Sequence, residues 1–240
     1  MKRLFANGTL VLGLWLNLSV AAHAQLKDNI EINVFGGGSW YESKNYEIGF
    51  PQAVTPIQGK FQLDRTWLGG VRLGVYTRGH WSQEFFYSYE PNTAHFVRST
   101  APSVSVDLPV GVNNYGVTAL YYLNENESHT VRPYLSVGIG GTLYTLSSDT
   151  KSFARDPLRG NLADIDNSNE LAFHYGAGLK SRGSGWLGFR ADVRGFLSRT
   201  PSFGLARHSN DPSATVFPVG GALNNAEATA GLVFYFFGKR

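Results

Sequence analysis

Apolar and polar side chains alternate with period two along nearly the whole chain, in eight stretches that read as β-strands. In the first, Ile30, Ile32, Val34, Gly36, Gly38 and Trp40 share one face, against Glu31, Asn33, Phe35, Gly37, Ser39 and Tyr41. The second sets Trp67, Val71, Leu73 and Val75 against Gly70, Arg72 and Gly74. The third sets Phe85, Tyr87 and Tyr89 against Glu84, Ser88 and Glu90, with Gln83 and Phe86 out of pattern. Val117, Ala119, Tyr121 and Leu123 carry the fourth, opposite Gly116, Thr118 and Tyr122. In the fifth, Leu135, Val137, Ile139 and Leu143 alternate with Arg132, Tyr134, Ser136, Gly138, Gly140 and Thr142, a spacing that no amphipathic helix carries. The sixth places Leu171, Phe173, Tyr175, Ala177 and Leu179 opposite His174, Gly176, Gly178 and Lys180. The seventh opposes Leu187, Phe189, Ala191 and Val193 to Gly188, Arg190, Asp192 and Arg194, and the eighth opposes Ala228, Ala230, Leu232, Phe234 and Phe236 to Glu227, Thr229, Gly231, Val233 and Tyr235. No segment reads as an amphipathic helix.

The connections alternate in length. Short links run 77–80, 124–130 and 181–185; long ones run 42–64, 91–109, 147–169 and 199–225. In an up-and-down barrel every second connection lies at the same end, so one rim collects the long loops and the other the short turns. A soluble barrel would show Lys, Glu and Asp on its polar face. Here that face is Gly, Ser and Thr with a small, nearly balanced set of charges: Arg72, Arg132, Lys180, Arg190 and Arg194 against Glu31, Glu84, Asp192 and Glu227. Such a set suits a narrow lumen in which guanidinium groups pair with carboxylates. None of the apolar-face positions carries a charge, which at the midplane of a bilayer would cost about 2 to 4 kcal/mol. The expected fold is therefore all-β, an eight-stranded antiparallel up-and-down transmembrane β-barrel, whose closure satisfies every backbone group without water. Trp40, Trp67, Trp81, Tyr89, Tyr121, Trp186 and Phe236 fall near strand ends, as interfacial aromatic belts do.

Composition adds two constraints. Among 240 residues there are 28 Gly, 5 Trp, 12 Tyr and 16 Phe, but only 16% charged residues against roughly 25% in an average soluble domain. That excludes a disordered tail, a coiled coil and a typical helical enzyme. There is no Cys, hence no disulfide, thiolate metal site, Cys nucleophile or lipoprotein anchor. Met1-Lys2-Arg3, the mainly apolar run from Thr9 to Val20 and the small residues Ala22 and Ala24 read as a signal peptide over 1–24, cleaved before Gln25, with residues 25–240 as one barrel domain. The apolar run is shorter than a spanning helix requires. The formal charge is +3; without Lys2 and Arg3 it is +1, too small a balance to suggest a nucleic-acid partner.

With these features the sequence resembles the eight-stranded outer-membrane barrels of Gram-negative bacteria, the OmpA, OmpX and OmpW type of small porin-like protein. The resemblance covers residues 25–240 as a pattern. Its more specific parts are Arg132-Pro133-Tyr134-Leu135-Ser136-Val137-Gly138-Ile139-Gly140 and the closing strand from Glu227 through Phe234 to Phe236. It implies a place in the cell outer membrane, a monomer in contact with outer-membrane lipid, and folding by the barrel-assembly machinery, with Phe234 and Phe236 as the assembly signal. The chain departs from the family in that Phe237-Gly238-Lys239-Arg240 follow that aromatic. No peptidoglycan-binding domain follows the barrel here, so that role of two-domain members is not expected.

Candidate chemistry is sparse. Asp164 to Tyr175 begins like a calcium loop but has Asn169 where Gly is required and Tyr175 where an acid is required. A looser divalent-ion site among Asp149, Asp156, Asp164 and Asp166 competes with a plain solvated acidic loop. His80-Trp81-Ser82 is similar to the His-x-Ser of outer-membrane lipid A deacylases, with Glu84 or Glu90 placed to orient the His, yet it falls at a short turn. An interfacial Trp between turn residues is the plainer reading. His174 projects inward as a lumen residue, and His95 and His208 read as loop residues without partners. No catalytic, cofactor or metal residues are assigned. The charge network expected in the lumen comprises Arg72, Glu84, Arg132, Lys180, Arg190, Asp192, Arg194 and Glu227, with Arg190 and Arg194 flanking Asp192 and Glu227 as a neighbour. The expected role is non-enzymatic: a filled barrel displaying four long loops, in envelope integrity or surface interaction. Rim aromatics Trp67, Phe96, Phe203 and Phe217 keep open a narrow channel or a lateral route for small or hydrophobic solutes; a lipid A-modifying enzyme is the third reading.

Overall fold

Alternation makes strands where each face of a pleated chain meets one environment, and a computed structural model of the chain shows which. The structure describes residues 30–48, 57–98, 105–124, 131–156, 164–182, 186–207, 210 and 221–236. Its elements are β1 (Ile30–Tyr41), β2 (Lys44–Ile48), β3 (Ile57–Leu63), β4 (Thr66–Arg78), β5 (Trp81–Arg98), β6 (Ser105–Tyr122), β7 (Val131–Leu146), the helix α1 (Ser148–Arg155), β8 (Ser168–Arg182), β9 (Leu187–Arg199) and β10 (Ala222–Phe236). Eight of the strands close on themselves in the order β1-β4-β5-β6-β7-β8-β9-β10, with β10 returning to β1 from Ile30↔Phe236 to Tyr41↔Asn225. Every neighbouring pair is antiparallel, as up-and-down connectivity requires.

The two faces are those of a membrane barrel. Val34, Leu73, Phe85, Val137, Ile139, Phe173, Phe189, Val193 and Leu232 point outward and are exposed, while Arg72, Glu84, Arg190, Asp192 and Arg194 are buried inside. Water would reverse that arrangement; hydrocarbon outside the wall requires it. Phe86, out of pattern in the sequence, points into the lumen with Ser82, Glu84, Ser88 and Glu90, and Gln83 points outward, so β5 alternates without a break. At the short-turn rim Trp81 meets Tyr121 edge-on at 5.0 Å and Trp186 stacks on Phe234 at 5.8 Å. At the other rim Trp40, Trp67, Tyr87, Tyr89 and Tyr115 are exposed, and the Tyr87 and Tyr115 hydroxyls donate to Asn113 and Asn169.

The long connections contain more structure than the sequence pattern indicated. Residues 91–109, expected as a loop, are mostly strand: β5 and β6 are 18 residues each and stay paired from Trp81↔Tyr121 to Val97↔Ser105. A tilted spanning strand needs about 9 to 11 residues, so this pair projects well beyond the membrane. Within 42–64, β2 and β3 form a hairpin, and β3 pairs with the upper end of β5 from Leu63↔Ala94 to Gly59↔Arg98. Pro91 sits where β5 changes partner from β4 to β3, and a missing N–H costs least at such a handover. Side chains close the wall there: Thr66 Oγ1 donates to Pro91 O at 2.8 Å, and Asn92 Nδ2 donates to Asp64 O at 3.1 Å. The third connection holds α1, which the periodicity missed because eight residues are little more than two turns. Ser147 caps it by accepting from Thr150 N, Asp149 lies in its first turn and Arg155 in its last, and it buries Thr150 and Ala154, four residues apart.

Candidate functional site

The lumen is filled in layers. Nearest the short turns, Lys180 pairs with Glu31 and donates to Tyr122 Oη at 2.9 Å, and the Tyr122 and Tyr134 rings meet at 5.8 Å beside buried Leu120. Arg132 lies at the short-turn end beside Lys180: its guanidinium covers the Tyr122 ring at 4.0 Å and donates to the carbonyls of Gly79 and Asn124. It therefore ties two turns together.

The middle layer is ionic. Glu84 accepts from Arg190 Nη1 at 2.6 Å and from Arg194. Asp192 accepts from Arg72 at 3.1 Å and from Tyr134 and Thr229 hydroxyls, and lies within ion-pair distance of Arg190 and Arg194. Arg72 also donates to Asn33 Oδ1 at 2.9 Å and lies over the Phe35 ring at 3.7 Å. Three guanidinium groups thus share two carboxylates, and removing either acid would strand buried cations. Glycine makes the room: a Cβ on Gly178 would lie 2.5 Å from the Tyr134 ring and 2.6 Å from Asp192 Cβ, and one on Gly138 would lie 2.2 Å from His174 Nε2.

Above this layer His174 is buried between Phe86 and Phe196, with Nε2 at 2.9 Å from Thr118 Oγ1. Glu227 faces Arg194 across the β9–β10 ladder, yet its carboxylate accepts from Asn114 Nδ2 at 2.9 Å; among the described residues it makes no ion pair with either arginine expected as its neighbour. Glu90, which the sequence pattern placed inward as a possible partner of His80, instead accepts from the Tyr41 hydroxyl. An apolar cap then seals the loop end. Phe61, Leu63, Val112, Tyr144, Phe203 and Leu223 are its main buried members, with Phe203 against Phe61 at 6.4 Å and against Tyr144 at 6.3 Å. Phe96 packs on Phe61 at 5.2 Å, whereas Trp67 faces outward.

The remaining candidates are spoken for. His80 Nδ1 lies 2.6 Å from Tyr122 O and its ring stacks on Tyr121, while Ser82 Oγ donates to Val75 O; Glu84 serves the arginines and Glu90 serves Tyr41, so no relay joins them. His95, expected as a partnerless loop residue, is a strand residue clamped by two acids, Asp64 at 3.0 Å from Nε2 and Asp107 at 2.7 Å from Nδ1. Their hydrogen bonds, that to Asp107 foremost, raise its pKa above the ordinary imidazole value. The reading of 91–109 as a long connection left that placement out. In the acidic connection Lys151 Nζ lies 2.5 Å from Asp166 and holds that carboxyl below its usual range. Among the described residues no three His, Asp or Glu side chains gather as metal ligands. Phe234 and Phe236 end β10 at the short-turn rim; Ala22, Ala24, Gln25, His208 and Phe217 lie outside the described residues.

A closed antiparallel barrel with a lipid-facing apolar wall and an ionic interior defines an outer-membrane barrel. Residues 10–236 match the outer membrane protein beta-barrel domain, and the chain belongs to that family. By structure it is similar to the outer membrane protein OprG of Pseudomonas aeruginosa, at 15% identity and a TM-score of 0.52, covering 88% of this chain and 97% of that one. It is also similar to the N-terminal β-barrel domain of Pseudomonas aeruginosa OprF (16% identity, TM-score 0.45, 88% and 98% covered) and to Neisserial surface protein A (12%, 0.46, 86% and 97%). The sequence comparison with curated proteins finds no match.

Proposed function

We propose that this chain is a non-enzymatic barrel of the outer membrane whose projecting upper wall serves surface interaction or envelope integrity. The observation that carries this reading is the apolar cap: Phe61, Leu63, Val112, Tyr144, Phe203 and Leu223 fill the end of the lumen above a paired ionic layer. A body sealed in this way offers no aqueous path, while β2, β3 and the long β5–β6 pair present an ordered platform. The exported form starts at Gln25 in this account, and the barrel-assembly machinery reads the aromatic end of β10. Ion conductance of the refolded barrel in a planar bilayer tests the reading: a folded, silent barrel supports it, and discrete reproducible openings refute it in favour of a narrow channel.

A second reading rests on the Pro91 handover. There the wall is held by the side chains of Thr66 and Asn92 and by a single backbone bond, Asp64 N to Thr93 O at 3.3 Å, in place of a continuous ladder, beside the cap residues Leu63, Ala94 and Val112. Separation of that seam would connect the cap to the lipid and admit an apolar solute sideways. Uptake of an apolar dye into vesicles, lost when a disulfide locks the seam, would select this route over surface display.

A further inference from the structure

The buried charges of the lumen do not balance. Among the described residues four cations are buried, Arg72, Lys180, Arg190 and Arg194, against five carboxylates, Glu31, Glu84, Glu90, Asp192 and Glu227. Lys180 takes Glu31, and the three arginines take Glu84 and Asp192. The remaining acids, Glu90 at 1% exposure and Glu227 at 2%, make no ion pair within the described residues. They stand beneath the apolar cap, so water is a poor substitute for a counter-charge.

Register places the two acids in one layer. The Tyr41 hydroxyl donates to Glu90 Oε1; Tyr41 faces Asn225 across the β1–β10 ladder; and Asn225 Nδ2 reaches Glu227 Oε1 at 3.5 Å. Ser39, one step below on the same face, is the ladder partner of Glu227. Tyr41 and Asn92 donate to Glu90 Oε1, and Asn114 and Asn225 donate to Glu227 Oε1, while the Ser39 hydroxyl lies close enough to favour the Glu90 carboxylate as well. Two buried acceptors in this layer have no donor, Glu90 Oε2 and Asn225 Oδ1, and Asn225 is itself only 6% exposed. Buried acceptors without partners are rare in native structures, and two together beside a net negative charge point to a positive species.

We infer that this layer binds one monovalent alkali cation, sodium or potassium, through Glu90 Oε2, Asn225 Oδ1 and the Glu227 carboxylate. The donors are all oxygen, the set that hard cations take. One charge is missing, which a monovalent ion supplies and a divalent ion overshoots. A proton would supply the charge but a donor for only one of the two acceptors, whereas a hard cation takes several oxygen ligands at once.

The full chain, refolded from urea into zwitterionic micelles in equal concentrations of sodium, potassium or choline chloride, tests this through the thermal midpoint of its folded gel band. Sodium or potassium raises the midpoint over choline by about 5 °C, saturably. Glu227→Gln, which removes the uncompensated charge, abolishes that difference whatever its own midpoint. Should this variant fail to fold, anomalous scattering from rubidium in crystals of the unaltered protein decides, with a peak expected beside Glu90 Oε2 and Asn225 Oδ1. Equal midpoints in all three salts overturn the proposal. A midpoint that follows pH and not the cation overturns it as well, assigning the charge to a shared proton, as does a salt effect with no rubidium peak in this layer.

Discussion

Asp192 shows how much a single side chain holds in this lumen. Its carboxylate lies within ion-pair distance of Arg72, Arg190 and Arg194 and accepts from Tyr134 and Thr229. Asp192→Ala leaves three buried guanidinium groups to Glu84 alone, and is expected to lower stability by about 3 to 5 kcal/mol. Urea unfolding in micelles, followed by gel mobility, reads that loss; an unchanged midpoint would mean that these groups are hydrated rather than buried. Sequence alternation was enough to put Arg72, Glu84, Arg190, Asp192 and Arg194 on the inward face. It could not pair them, because Arg190 with Glu84 and Arg72 with Asp192 are joined by barrel closure across 106 and 120 residues of chain. Glu227 illustrates the gap: its neighbour by register is Arg194, but its hydrogen-bond partner, Asn114, comes from the opposite wall. Small residues were legible as lumen packing, yet only the folded wall shows that Gly178 is small to admit Tyr134.

At the scale of elements, the barrel strands were readable because each meets lipid on one face and a polar interior on the other. The pieces beyond the membrane lose that contrast. Residues 91–109 read as a long connection, although Pro91 and Pro109 both lie in a continuous β5–β6 ladder, and α1 is too short to declare a period. The clamp that joins these upper pieces, Asp64–His95–Asp107, gives them a pH dependence. The folded His95 pKa is raised above the ordinary 6.5, so the clamp contributes fully below about pH 6.5 and weakens as pH rises through the folded value. An NMR titration of the His95 ring should place its midpoint above 6.5, and Asp107→Asn should bring it back down. A ring that titrates at or below the ordinary value would show that the acids do not hold it.

The molecule as a whole is a wall closed on a solid interior: tyrosines and Lys180–Glu31 at the short-turn rim, an ionic middle, an acidic layer, then an apolar cap. Among the described residues these layers fill the lumen with side chains, while the upper strands are longer than a spanning strand requires. The charge content of the lumen announced part of this in the sequence. The cap did not, since Phe61, Tyr144, Phe203 and Leu223 come from four separate stretches of chain that meet only once the barrel closes. The sealed lumen is tested most directly at Ser88, buried on β5 within the layered interior. The chain has no native cysteine, so Ser88→Cys provides a unique reporter. In vesicles the folded barrel should leave this thiol unreactive toward a charged, membrane-impermeant thiol reagent, while the urea-unfolded chain reacts readily. Labelling of the folded barrel at a rate close to that of the unfolded chain would reveal an aqueous path through the lumen and contradict the account.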